Sequence, residues 1–119
     1  MAKRQYLATA TQVKQISTLT VGGVIEVGDE FKVTLTDEGM TSYLRTIVAS
    51  STVVNTVAAQ IQADLAAQTT EPWTHATWTV AAAVITGTAT IAGRPINIVI
   101  STNESGGGAA DGQTFVLAT

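Results

Sequence analysis

In "SSTVVNTVAAQIQADLAAQ", residues 50–68, the apolar residues recur at helical spacing, and nowhere else in the chain do they do so clearly. Val53, Val57, Ile61 and Leu65 fall four apart, with Val54 and Ala58 beside them, and make one stripe. Asn55, Gln62 and Gln68 lie off it. The spacing predicts a helix over residues 52–67 whose core contacts are Val53, Val57, Ile61 and Leu65. Ser50, Ser51 or Thr52 is placed to supply the N-cap oxygen. Alanine favours this helix and valine slightly disfavours it, so tertiary packing must hold it. It ends before Pro72, which confines Glu71 to extended geometry.

On both sides the apolar period is two. "FKVTLT" sets Phe31, Val33 and Leu35 against Lys32, Thr34 and Thr36. Gly28-Asp29 reads as the turn before it and "TDEGM" as the turn after, which makes a hairpin with "TSYLRTIVA". That partner puts Leu44, Thr46 and Val48 on one face and Tyr43, Arg45 and Ile47 on the other. After the helix, "WTHATWTVA" aligns Thr74, Ala76, Trp78 and Val80. "AVITGTATIAG" aligns Ile85, Gly87, Ala89 and Ile91, and "RPINIVIST" aligns Ile96, Ile98 and Ile100. "QVKQISTLTV" alternates imperfectly and reads as an edge strand or arm, and "TFVLAT" as a last short strand. The expected fold is α+β: β-hairpin, helix, β-hairpin, a mainly antiparallel sheet or sandwich with one amphipathic helix and an extended N-terminal arm. The helix is expected to cover the face that a two-hairpin sheet must hide from water.

A chain of 119 residues is most simply one domain, divided here into an arm, 1–12, and a β-rich domain, 13–119. Its net charge of −3 and charged fraction of 13% lack the basic patch that nucleic-acid binding needs. No apolar run is long enough to span a membrane, and no secretory h-region follows the N-terminal basic residues. Cysteine is absent, which excludes disulfides and thiolate metal sites. Soluble domains average about 25% charged residues, whereas here 21 threonines, with alanine and glycine, stand in for much of that charge. A Thr-rich β-protein is the plain reading of this composition. Surface committed to neighbouring subunits is the sharper one, since interface cores are depleted in charge.

No residue argues for catalysis or for a cofactor. His75 is the single histidine and has no recognisable nucleophile or orienting acid in the pattern around it. Glu26, Asp29, Glu30, Asp37 and Glu38 gather around two turns, where weak calcium binding competes with the plainer reading of solvated turn carboxylates. Their spacing is not that of an EF-hand loop. "SGGGAADG" lacks the Lys-Ser/Thr of a phosphate-binding loop and reads as surface loop. Trp73 and Trp78 differ in parity, so one is expected in the core and the other at its rim.

The run from "VGGVIEVGDEFKVTLT" through "TVVNTVAAQIQADLAA", "WTHATWTV" and "VITGTATIAGRPINIVIST" to "GGGAADGQT" resembles a module of bacteriophage and prophage virion proteins. The resemblance covers roughly residues 21 to 116. Gly28, Asp29, Phe31, Val33 and Thr34 carry its first strand, Thr52, Val53, Val57, Ala58 and Ile61 its helix, and Gly93 and Pro95 its later turn. Arg94 and Ile96 depart from the pattern, standing where a small residue and an aromatic are usual. The resemblance implies a non-enzymatic virion structural protein, assembled in the bacterial host cytoplasm. Its stand-alone form looks like a capsid decoration or cement protein. Implied partners are further copies of itself and virion proteins such as the major capsid protein, with no nucleic acid and no membrane. A tail-tube or tail-associated subunit is the first alternative, and a small soluble ligand-binding β-module the second.

The first dozen residues have no clean alternation. They hold the one adjacent basic pair, Lys3 and Arg4, together with Tyr6 and Leu7. Such a segment is expected to order against a neighbouring subunit, by adding to a sheet edge or lying along a surface, rather than within its own domain. Deleting residues 2–10 should leave the isolated fold intact and lower the occupancy of the protein on particles. Undiminished occupancy would remove the arm's role.

Overall fold

The computed structural model describes residues 14–36, 41–92, 96–104 and 112–119. The turn expected at "TDEGM" and the one at Gly93-Arg94-Pro95 lie largely outside these, as does the arm with Lys3, Arg4, Tyr6 and Leu7. In chain order the elements are β1 (Ile16–Gly23), β2 (Glu30–Thr36), β3 (Ser42–Val48), helix α1 (Val54–Ala66), a 3₁₀ turn (Trp73–His75), β4 (Ala76–Ala81), β5 (Val84–Ala89), β6 (Asn97–Asn103) and β7 (Gln113–Ala118). They make two antiparallel sheets, ordered β4-β5-β1-β7 and β3-β2-β6. The fold is α+β, mainly antiparallel, with one helix among the described residues.

Two expectations about topology are corrected. The hairpins β2–β3 and β4–β5 belong to different sheets and do not share one. β1 is no edge strand: it pairs β5 on one side and β7 on the other. Its period is disguised by Ser17, which is fully buried on the same side as Leu19 and Val21. Burial is tolerated because the hydroxyl accepts from Gln15 Nε2 at 3.0 Å and lies 3.3 Å from Thr119 Oγ1. Gln15 also pairs through its amide with both backbone groups of Ile96, at 2.9 Å each, as a strand neighbour would.

Each sheet hides the apolar face of the other. Leu19, Val21 and Ile85 from one and Phe31, Val33, Leu35, Ile47 and Ile98 from the other belong to a single core. The ring of Phe31 (β2) meets that of Phe115 (β7) edge-on, with centroids 5.5 Å apart and planes at 87°. Gly87, opposite Trp78 in the β4–β5 ladder, has its place for a steric reason. A Cβ there would sit 2.6 Å from the indole, so only glycine lets Trp78 lie across the strand.

α1 therefore does not cover a bare sheet. It touches β4, β5 and β1 of one sheet and β3 of the other, burying Val57, Ala58, Ile61 and Leu65. It begins later than its spacing suggests. Val53 is the extended N-cap residue, 56% exposed and outside the core, and no side chain caps the helix. The Ser51 hydroxyl instead accepts the amide of Val53 itself.

Three polar side chains of α1 fix it between the sheets. Gln60 Nε2 donates to the Val48 carbonyl at 2.6 Å, and Gln62 Nε2 to the Trp78 carbonyl at 2.7 Å. Both carbonyls lie on free edges. Ala49 directs its backbone groups to residues 28 and 29, so Val48, one residue away, points outward from β3. His75 accepts from Thr90, so by the same alternation Trp78 points outward from β4. Asp64 takes Arg45 of β3 in a bidentate pair, at 2.9 Å to Nε and 2.8 Å to Nη2. Hydrogen bonds to the Asp64 carboxylate hold the Arg45 guanidinium above its ordinary pKa against the opposing effect of desolvation. For a base that upward shift favours the charged form of the guanidinium.

Replacing Ile61 by Asp should place an unpaired charge in the closed core and cost about 4 kcal/mol or more. An unchanged melting temperature would refute the packing. Ala82 has φ 51 in the two-residue β4–β5 connection, a left-handed conformation that a Cβ disfavours. Ala82→Gly should therefore raise stability by about 0.5–1 kcal/mol in urea denaturation.

Candidate functional site

The outer face of the four-stranded sheet follows from the registers. Thr77, Thr88 and Ile16 form one row across β4, β5 and β1. The next is Thr79, Thr86, Thr18 and Ala118, and the third Ala81, Val84, Thr20 and Val116. None of these side chains is charged, and Ile16 and Val116 stand 57% and 58% exposed. Threonine and valine suit a pleated surface, so the strands form readily while the face they leave outward is neutral. The outer face of the three-stranded sheet differs. Val48, Leu44 and Val99 are exposed there, but Glu30 and Lys32 face outward beside them, 3.9 Å apart as an ion pair. The two faces of one small sandwich thus differ in charge.

The second feature is the turn between β1 and β2. Asp29 is fully buried, which corrects the reading of the turn acids as uniformly solvated. Its Oδ2 accepts the Glu26 amide at 2.8 Å, and its own amide donates to the Glu26 carbonyl at 3.1 Å. Its carbonyl accepts the amide of Ala49 at 2.8 Å. The side chain thus closes the turn while the backbone ties it to the end of β3. Glu30 pairs with Asn103 at the end of the β2–β6 ladder, which places Glu104 beside Asp29. One carboxylate oxygen each from Glu26, Asp29 and Glu104 lies within 4.8 Å of the others. Among the described residues this is the one such group of three. The sequence reading grouped Glu26 and Asp29 but missed Glu104, which only the β2–β6 pairing brings in.

The remaining candidates separate. His75 ends the 3₁₀ turn with Nε2 3.5 Å from Glu71 Oε2, and its carbonyl accepts from the Thr90 amide and hydroxyl. Both tryptophans are buried, at 3% and 5% exposure, against the expectation of core and rim. The 3₁₀ turn breaks the alternation between them, and Trp78 Nε1 donates to the Trp73 carbonyl at 3.3 Å. Beside them a cleft of about 370 Å³ opens between the end of α1 and β4, with Leu65 and Gln68 in its wall and no charged side chain. No described helix is long and apolar enough to cross a membrane.

Compared with protein-family models, with curated proteins and with solved structures, the chain has no match.

Proposed function

We propose that this chain is a non-enzymatic structural subunit of a bacteriophage virion, a decoration or cement protein. It docks on copies of itself or on the major capsid protein through the outer face of the β4-β5-β1-β7 sheet. The observation that carries the docking reading is the neutrality of that face: three rows of threonine, alanine, valine and isoleucine without a charge. Water solvates threonine hydroxyls at little cost, so the free subunit stays soluble. Desolvating them against a partner costs far less than desolvating Lys or Glu, and partner hydroxyls and carbonyls offset that cost. The virion assignment rests on the sequence resemblance, and the neutral face gives it a contact surface. The ligand-binding alternative has one feature in its favour, the uncharged cleft bordered by Trp73 and Trp78, but both indoles are almost wholly buried and offer a ligand little surface.

Thr20 and Thr79 are exposed positions on this face. Thr20→Lys and Thr79→Glu should each change unfolding free energy by less than about 0.5 kcal/mol. Each should weaken self-association in analytical ultracentrifugation, or binding to particles lacking the protein, by at least about tenfold. Thr34→Lys, on the other sheet, should leave both association and particle binding unchanged. Full binding by both face variants would overturn the docking surface. Averaged density for the chain at the tail and not on the head would move the proposal to the tail-subunit alternative.

A further inference from the structure

We propose that Glu26, Asp29 and Glu104 form a binding site for one calcium ion, which clamps the β1–β2 turn to the end of β6. Two independent observations support it. The first is convergence: three carboxylates from two distant parts of the chain bring an oxygen each within 4.8 Å of one another. Like charges that close repel unless a cation or a proton lies between them. The second is the state of Asp29. The residue is fully buried, and Oδ2 is committed to the Glu26 amide. Oδ1 is also buried and has no hydrogen-bond partner among the described residues. Burying a carboxylate oxygen without a donor is costly, and a cation bound at Oδ1 removes that cost.

The donor set selects the ion. All three ligands are hard carboxylate oxygens, and no histidine or cysteine belongs to the group, which argues against zinc and copper. Magnesium demands near-ideal octahedral geometry and gives up water reluctantly, whereas calcium accepts irregular oxygen shells completed by water. Glu26 is exposed and Glu104 half-buried, so the ion can enter from solvent and keep part of its hydration. A dissociation constant on the order of 10⁻⁴ M fits a site with solvent-facing ligands. The ion would hold together three points that the backbone alone joins loosely: the β1–β2 turn, the end of β6, and, through Asp29, the Ala49 end of β3. This inference does not depend on the virion reading.

The test uses the full chain, freed of metal with a chelator and titrated with calcium chloride at pH 7 by calorimetry, with melting temperature followed in parallel. One ion per chain should bind, with a rise in melting temperature of roughly 5 °C at saturation. Asp29→Asn keeps an acceptor for the Glu26 amide but removes the charge, and should abolish binding. Glu104→Gln, at the half-buried position, leaves the turn's own hydrogen bonds in place and should weaken binding at least tenfold, so the test does not hang on one variant's folding. No calcium-dependent heat or melting shift in the wild-type protein would overturn the site. So would binding that Glu104→Gln leaves unchanged.

Discussion

The fold depends on how the open side of the sandwich is closed. Two sheets of four and three strands hide each other's apolar faces, but along one side β4 and β3 end in unpaired backbone. An unpaired buried carbonyl costs about 1–3 kcal/mol, so a gap at that seam would be expensive twice over, in wet core and in lost hydrogen bonds. α1 meets both needs. Val57, Ala58, Ile61 and Leu65 extend the core into the seam, while Gln60 and Gln62 donate to the edge carbonyls of β3 and β4. Arg45 and Asp64 bind helix to β3 from the polar side. On the opposite side β6 and β7 approach directly, joined where Gln113 Nε2 donates to the Asn103 carbonyl at 2.9 Å. A single helix suffices because a single seam needs it.

The same logic explains which polar groups the interior admits. Ser17, Asp29 and Gln113 are the buried polar side chains among the described residues. Each satisfies a neighbour: Ser17 beside the C-terminal Thr119, Gln113 across the β6–β7 seam, Asp29 inside the turn that carries the chain from one sheet to the other. Of these three, Asp29 retains a buried oxygen without a donor among the described residues. On the proposed calcium site, that unused oxygen is what distinguishes Asp29 from a purely structural turn residue.

The helix and strands β2, β4 and β5 were legible from period because each has a clean inner side, whereas at the edges β3 and β6 only Ile47 and Ile98 are buried within the strands. β1 was misread because Ser17 interrupts the apolar alternation and its satisfaction by Gln15 and Thr119 is not visible in a linear sequence. The β4–β5 connection carries two alanines, Ala82 and Ala83, where turn chemistry would predict glycine or asparagine. The helix start slipped past Val53 because four-residue spacing continues into the extended N-cap residue. Non-local pairing was the larger loss. Nothing in the period of β1 says that β5 and β7 flank it, so the neutral outer face and the Asp29–Glu104 approach became apparent only from the registers. Each row of that face draws on strands far apart in the chain.

The way the edges are closed also bears on how copies of this chain can associate. An uncovered edge strand is a template for backbone pairing, and proteins that do not use it guard it with charge, proline or a covering element. Here β3 and β4 carry neither proline nor an outward charge, yet helix side chains already occupy edge carbonyls on both, and β6 and β7 face each other. Edge-to-edge growth would have to displace α1 and open the core. Face-on contact through the threonine rows demands no such rearrangement, since those side chains already point outward from strands paired in the sheet. On the proposed reading this favours association through a face over strand addition. On the same reading, an arm over residues 1–12 is expected to lie along a neighbour's surface in preference to extending its sheet.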